Sequence, residues 1–391
     1  MHNQIKILIF AEKSNNMTFK LNPFIVSGII PDQYFCDRKE ESVVLEKALA
    51  NQTNVVITSP RRMGKTSLIN HVMRQTQFQK DYHIISIDIL HTTSLKEFVQ
   101  TLGMAVFSTL ARQSEQSMRL FMTTLRSLSG SFGYDPVMGA PSFDVKLGDI
   151  NNADFTLNEI FDYLQKSDKH CIVVIDEFQQ ITNYAEKNIE ALLRGHIQKN
   201  GNSNFVFSGS KRRIMEEMFL SSNRPFYQSA KILELNAISQ DEYRSFAKHL
   251  FKTNDKILDD DAFNTIYENY RGVTYYVQRI MKECFAATLS EGRCDKELAE
   301  TTSRLFIEEN SPRLREMLSH LSEPQKALLY AIQSEGVARE ITSSAFIKRH
   351  KLASASSVQA AMKHLLNYDV VTRTENTYFL SDPLLDIWMK R

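Results

Sequence analysis

Five short apolar runs of strand length mark the first part of the chain: residues 54–58 (NVVIT), 83–90 (HIISIDIL), 171–175 (CIVVI), 204–208 (NFVFS) and 231–235 (KILEL). Between them, apolar residues recur every three to four positions and predict helices, notably from Ser67 to Arg74 and from Leu95 towards Leu110. Runs that are continuous rather than alternating suit strands buried on both faces, so the expectation is an α/β class with a parallel sheet covered by helices. Gly130 to Asn152 breaks the rhythm, and its Gly, Ser, Pro and Asp content predicts an inserted loop. From about Ser239 to Ser311 the pattern is helical throughout, which suggests a separate helical subdomain. Helices are then expected at Pro324–Gln333, Thr342–His350 and Ser354–Asn367, with β segments at Val370–Arg373 and Tyr378–Leu380, the order of a winged helix-turn-helix. The expected division is a tail over 1–21, an α/β core over 22–238, a helical lid over 239–311 and a winged helix over 312–391.

Composition narrows the classes. With 42% apolar and 24% charged residues the 391-residue chain reads as soluble, and its length favours more than one core. Forty-seven basic residues against 46 acidic ones exclude a global attraction to nucleic acid or anionic lipid, so any such binding needs a local patch. The four cysteines, Cys36, Cys171, Cys284 and Cys294, are widely spaced and suggest neither zinc nor a disulfide framework. No apolar run approaches the roughly 18 residues of a membrane span. The opening MHNQIKILIF is too short in its apolar part for a secretion signal, and Met17 is a second candidate start; a cytoplasmic location and no membrane partner are expected.

The first 54–58 run leads into Ser59-Pro60-Arg61-Arg62-Met63-Gly64-Lys65-Thr66-Ser67 and then a helix. Strand, loop and helix in this order form a P-loop. Glycine lets backbone N–H groups approach phosphate oxygens, lysine reaches the β- and γ-phosphates, and the hydroxyl holds Mg²⁺. Ser59 stands where GxxxxGKS/T has its first glycine. The 171–175 run ends in Asp176-Glu177, a pattern in which the first acid holds Mg²⁺ with Thr66 and the second activates the attacking water. The 204–208 run ends in Ser210-Lys211-Arg212-Arg213; Ser210 is a candidate contact to γ-phosphate or water, although such a turn favours serine as a helix cap in any case. Arg194 is either an arginine finger or a solvated helix residue, and Arg61 and Arg62 are similarly open.

These residues, with YFCDRKEE (34–41), SPRRMGKTSL (59–68), IVVIDEFQQI (172–181) and FVFSGSKRRIM (205–215), together resemble the prokaryotic AAA+-related ATPases of the STAND and archaeal-type group, over nearly all of the chain after Asn22. The resemblance implies an ASCE/AAA+-like P-loop NTPase fold, a five-stranded parallel sheet with the P-loop strand central, a helical lid and a C-terminal winged helix. It also implies ATP and Mg²⁺ as ligands and a position near the nucleotide for Arg38. Thr274, in Arg271-Gly272-Val273-Thr274, stands where a lid proline is implied.

In the winged helix, Gln359, Lys363 and His364 on the third helix, with Lys348, Arg349, His350, Lys351 and Arg373, make only a modest basic patch. The leading expectation is an ATP-binding protein with slow Mg²⁺-dependent hydrolysis that acts as a nucleotide-dependent switch. Its partners would be ATP and ADP, with a protein or double-stranded DNA at the winged helix and a homo-oligomer left open. The alternative is an ATP-regulated DNA-binding protein or a DNA-stimulated ATPase. Trp388, the sole tryptophan, is expected to anchor a core.

Overall fold

The computed structural model of the protein describes residues 21–135 and 140–391, so most of the expected tail lies outside the described residues. In chain order the α/β part carries strands β1 (Val55–Thr58), β2 (Tyr82–Asp88), β3 (Phe132–Asp135), β4 (Ala140–Phe143), β5 (His170–Asp176), β6 (Ser203–Gly209) and β7 (Lys231–Glu234). Its helices are α1 (Lys39–Ala50), α2 (Lys65–Met73), α3 (Thr76–Asp81), α4 (Leu95–Thr109), α5 (Glu115–Thr124), α6 (Ala153–Gln165), α7 (Ile189–Lys199) and α8 (Arg212–Leu220). Five strands form one sheet in the order β2-β5-β6-β1-β7, and every pair in it is parallel. The expected five-stranded parallel sheet is therefore present. The P-loop strand β1 is interior but not central: it lies between β6 and β7, and β6 takes the middle.

Alternation along each strand sends neighbouring residues to opposite faces. Val173, Ile175, Phe205 and Phe207 pack with α4, α6, α7 and α8 on one side, whereas Ile172, Val174, Val206 and Ile57 pack with α1 and α2 on the other. Helix α4 shows how the sequence sets such a layer. The Ser94 hydroxyl accepts the Glu97 N–H to start it, and Leu95, Phe98, Val99, Leu102 and Val106 then fall on the buried face.

The Gly130–Asn152 region corrects the expectation of a plain loop. It contains the antiparallel hairpin β3/β4 and a short helical turn at 147–149, although residues 136–139 lie outside the described ones. Phe143, Val145 and Ile150 are buried there, and Phe143 packs on Phe107 and Phe121. Three apolar anchors scattered among Gly, Ser and Asp carry no periodic signal, so only packing shows what they do.

The lid consists of α9 (Gln240–Lys252), α10 (Asp260–Asn269), α11 (Thr274–Ala287) and the start of α12 (Lys296–Ser319). It is not wholly helical, because β8 (Ile257–Leu258) pairs in parallel with β9 (Arg293–Cys294). Helix α12 runs through the 311/312 division unbroken, with Pro312 inside it. The winged helix follows as α13 (Glu323–Glu335), β10 (Ala338–Arg339), α14 (Ser344–Arg349), α15 (Ala355–Asn367), β11 (Val371–Thr374), β12 (Thr377–Leu380) and α16 (Pro383–Met389). Strand β10 joins the expected hairpin to make a three-stranded sheet, β10-β12-β11.

One apolar cluster runs through both modules, from Tyr243 and Ile280 in the lid to Leu329, Leu365 and Leu384 in the winged helix. Phe24 is fully buried in it, with its ring 5.8 Å from those of Phe251 and Phe285. Trp388 packs against the same cluster, as expected of an anchor, and donates its Nε1–H to Ser311 Oγ at 2.8 Å. Because the core is shared, Leu329→Ala should destabilise by about 2–5 kcal/mol and should lower hydrogen-exchange protection in α11 as well as α13. Loss of protection confined to α13 would show two independent cores.

Candidate functional site

At the C-terminal ends of β1, β5 and β6 the chain turns around a cavity of about 440 Å³, within the range for small-molecule sites. The P-loop forms one wall. Gly64 takes φ +90° and Arg62 φ +69°, and the left-handed backbone at Gly64 turns the loop into the N-terminus of α2. Lys65 through Met73 then continue as helix, with Leu68, Ile69 and Val72 buried against the sheet, so the positive end of α2 faces the cavity.

Lys65 is 7% exposed, and its ammonium donates to Ser59 Oγ at 2.9 Å, to Pro60 O at 3.1 Å and to Ser59 O at 3.3 Å. Ser59 and Pro60 therefore lie off the cavity wall and act on Lys65, whereas Arg61, Arg62, Met63, Gly64, Lys65, Thr66 and Ser67 line it. The serine that replaces the first loop glycine supplies a hydroxyl that grips the lysine. Burial lowers the Lys65 pKa to about 8, against the pull of Glu177 and Asp176 and with help from Arg61.

Thr66 Oγ1 donates to Asp176 Oδ2 at 2.9 Å, so the two groups expected at Mg²⁺ meet although they are 110 residues apart in the chain. Hydroxyl and carboxylate oxygens suit Mg²⁺, which takes few protein ligands and fills the rest of its shell with substrate phosphates and water. No cluster of three or more His, Cys, Asp or Glu side chains able to hold a metal occurs among the described residues.

Glu177, at φ +56°, turns out of β5 beside Asp176. Its Oε2 accepts from Ser210 Oγ at 2.8 Å and from Gln179 Nε2 at 2.5 Å. Ser210 thus lines the cavity and also holds the Glu177 carboxylate. Gln179 was not anticipated. It is 2% exposed and lies under the end of β6, where a Cβ on Gly209 would come within 2.3 Å of its Oε1. The glycine before Ser210 was the available signal: only a residue without a side chain lets the strand cross over Gln179.

Arg38, 4% exposed, lines the cavity and braces the loop from behind, donating to Met63 O at 3.2 Å and Glu41 Oε1 at 2.8 Å. Phe35 stacks on His71 with centroids 4.1 Å apart, and Phe35, Ile25, Val26, Ile30 and Ile238 give the cavity an apolar share of its lining, fit for a base. Arg194 does not line the cavity. It rides on α7, whose Leu193 and Ile197 are packed against the sheet.

The lid and winged helix also reach the loop. Arg62 Nη1 donates to Tyr276 OH and to Asp382 Oδ2, the latter at 2.8 Å, and Tyr276 OH donates to Asp382 Oδ1 at 2.7 Å. The Arg62 guanidinium lies 5.0 Å from the Tyr276 ring centre and 5.7 Å from that of Tyr275. Burial works against its charge, but Tyr276 and Asp382 outweigh this and raise its pKa above the usual range. Thr274, where a proline was implied, lines the cavity with its hydroxyl 3.4 Å from Met63 O, and Tyr275 N–H donates to Arg62 O at 3.1 Å. No sequence signal pointed to Tyr276 or Asp382.

A pH effect follows from Lys65. Phosphate needs its charged form, which the free protein holds below pH 8 and loses as pH rises through that value. The apparent affinity for a nucleotide is therefore expected to fall about tenfold between pH 7 and pH 9, measured by titration calorimetry; a flat profile would refute the assignment.

Two family models match the chain: an ATPase domain predominantly from Archaea over residues 35–280, and a probable winged helix domain over residues 312–391. An uncharacterised ATP-binding protein of Methanocaldococcus jannaschii is 23% identical over 309 residues, which is 73% of this chain and 77% of that protein. Among solved structures, the Walker-type ATPase of Pyrococcus abyssi matches with a TM-score of 0.66 and 17% identity over 94% of this chain and 100% of that one. The ORC2 protein of Aeropyrum pernix, in complexes with ADPNP and ADP, matches with a TM-score of 0.57 and 12% identity over 95% and 98%. The structural likenesses bear on the fold; the ATPase model covers most of the chain, and on that match the protein belongs to the family of ATPase domains found predominantly in Archaea, with a winged-helix domain at its C-terminus.

Proposed function

We propose that the protein binds ATP with Mg²⁺ in the P-loop cavity, hydrolyses it slowly and uses the cycle as a STAND-like, AAA+-related molecular switch. The observation that carries this reading is the convergence of Lys65, the Thr66–Asp176 pair and the Ser210-held Glu177 on one cavity that Ile25, Val26, Ile30 and Phe35 also line. Lys65 and the N–H groups at the start of α2 bind the β- and γ-phosphates. Thr66 and Asp176 would hold Mg²⁺, which when bound offsets charge on the phosphate oxygens. A water attacks the γ-phosphorus, its proton passes to Glu177, and ADP is the leaving group. With Glu177 Oε2 engaged by Ser210 and Gln179, Oε1 is the oxygen left for that water. Turnover is slow because lid and winged helix, joined by one core, must shift together to exchange nucleotide. A finger role for Arg194 would need a second copy of the chain, since in its own chain it lies off the cavity.

For a partner at the winged helix, a protein is favoured over DNA. Lys351, Gln359, Lys363 and Arg373 are exposed, but Arg349 and His350 both engage Glu335 at 2.8 Å, which neutralises part of an already modest patch. An ATPase assay with and without double-stranded DNA tests both readings. Wild type should hydrolyse ATP, Lys65→Ala should lose nucleotide binding, and Glu177→Gln should keep binding while losing about 100-fold or more in rate. Equal rates for Glu177→Gln and wild type would sink the general-base role. Stimulation by DNA of about tenfold or more, clearly above scatter between variants, would favour the DNA-stimulated alternative.

A further inference from the structure

Gln278 is a polar side chain in an apolar setting. It stands one turn after Thr274 on α11, on the same helix face, and lines the cavity while only 8% exposed. Ile238 and Tyr243, buried in the lid core, line the cavity with it, and Tyr34 and Cys36, which also line it, pack against that core. The Gln278 Oε1 is taken: the Tyr243 hydroxyl lies 2.8 Å from it and 3.3 Å from Thr274 O, and the phenolic hydrogen goes to the nearer acceptor. Burial pushes the Tyr243 phenol well above its ordinary pKa, so it stays a donor. Gln278 Nε2 has no hydrogen-bond partner among the described residues and is not sealed off from solvent, so its N–H groups open onto the cavity. The helix sets which part of a nucleotide meets them. Helix α11 begins on the P-loop, with Thr274 Oγ1 3.4 Å from Met63 O and Tyr275 N–H donating to Arg62 O at 3.1 Å. Gln278 lies about 6 Å further along the axis from that contact, beside the buried Tyr243.

We propose that Gln278 reads the base of the nucleotide: with its oxygen held by Tyr243, its amide nitrogen donates to a ring nitrogen of adenine. The inference rests on the P-loop reading above and names the group in that same site that recognises the base. Adenine suits such a donor because its N1, N3 and N7 are all acceptors. A pocket wall that is apolar except for one fixed donor selects for the base, since a ligand without that acceptor leaves a largely buried N–H unpaired. Tyr243 has a positioning role here: it touches the amide oxygen and so decides which end of the amide faces the ligand. Because Thr274 and Gln278 share one face of α11, a base held by Gln278 also keeps the start of that helix on the P-loop.

The test is calorimetry on the full chain with Mg²⁺ and ADP, its 1-, 3- and 7-deaza analogues, 2′-deoxy-ADP and inorganic pyrophosphate. Gln278→Leu should weaken ADP and 2′-deoxy-ADP alike, by about three- to tenfold, and leave pyrophosphate unchanged. One deaza analogue should bind wild type more weakly than ADP by a similar factor, and that deficit should vanish in Gln278→Leu. Gln278→Glu, which can still accept from Tyr243 but has no N–H to offer, should lose as much affinity for ADP as the leucine variant. Four results would overturn the proposal. An equal loss for pyrophosphate would make Gln278 a structural residue, and a loss absent for 2′-deoxy-ADP would place its contact on the ribose. Full affinity in Gln278→Glu would make the oxygen the reading end, and deaza deficits that all persist in Gln278→Leu would deny a ring-nitrogen contact. Failure of the P-loop reading itself looks different, because neither ADP nor pyrophosphate would then bind wild type more tightly than Lys65→Ala.

Discussion

The hydrogen bonds of Arg62 join the parts of this molecule. Its guanidinium leaves the P-loop at a left-handed residue and meets Tyr276 of the lid and Asp382 of the winged helix, while its carbonyl accepts from Tyr275. The ATPase core has its own two apolar layers, and lid and winged helix have a third. An arginine that is half phosphate loop and half domain contact cannot move in one role without moving in the other. Arg271 reinforces the second body by donating to Leu380 O at 2.8 Å and pairing with the buried Asp386, so the winged helix follows the lid.

The same economy governs the catalytic end. Lys65 is buried far enough to weaken its charge, yet Ser59, an atypical residue for the loop, holds it with a hydroxyl. Glu177 is placed by a turn at positive φ and by two donors from different strand ends, Ser210 after β6 and Gln179 after β5. Gly209 allows that arrangement because a side chain there would collide with Gln179 and Met215. In each contact one partner is charged and the other neutral, in a partly closed site where orientation counts for more than bulk charge.

Much of this was legible in the chain. The continuous runs at 171–175 and 204–208 gave buried parallel strands because a strand covered on both faces has no polar side to show. The P-loop and the Asp176–Glu177 pair were readable because their spacing is dictated by phosphate and metal geometry within one or two residues of a strand end. What escaped lacked local period: the anchors Phe143, Val145 and Ile150 in the hairpin insertion, the two-residue strands β8 to β10, and the continuity of α12 past Ser311. Gln179 escaped for a different reason, since a glutamine after a strand is unremarked until Gly209 brings another strand across it.

By itself the sequence determined most strands and helices of the α/β core, the phosphate loop, and the positions of Thr66, Asp176 and Glu177 around it, because each depends on neighbours a few residues away. Tertiary structure alone decided that Ser210 and Gln179 serve Glu177, that Ser59 serves Lys65, and that Arg62 faces Asp382. Those pairings span from two to more than three hundred residues. Charge complementarity across such separations leaves no pattern along the chain; it exists only once the lid and the winged helix have folded on one core and come to rest on the loop.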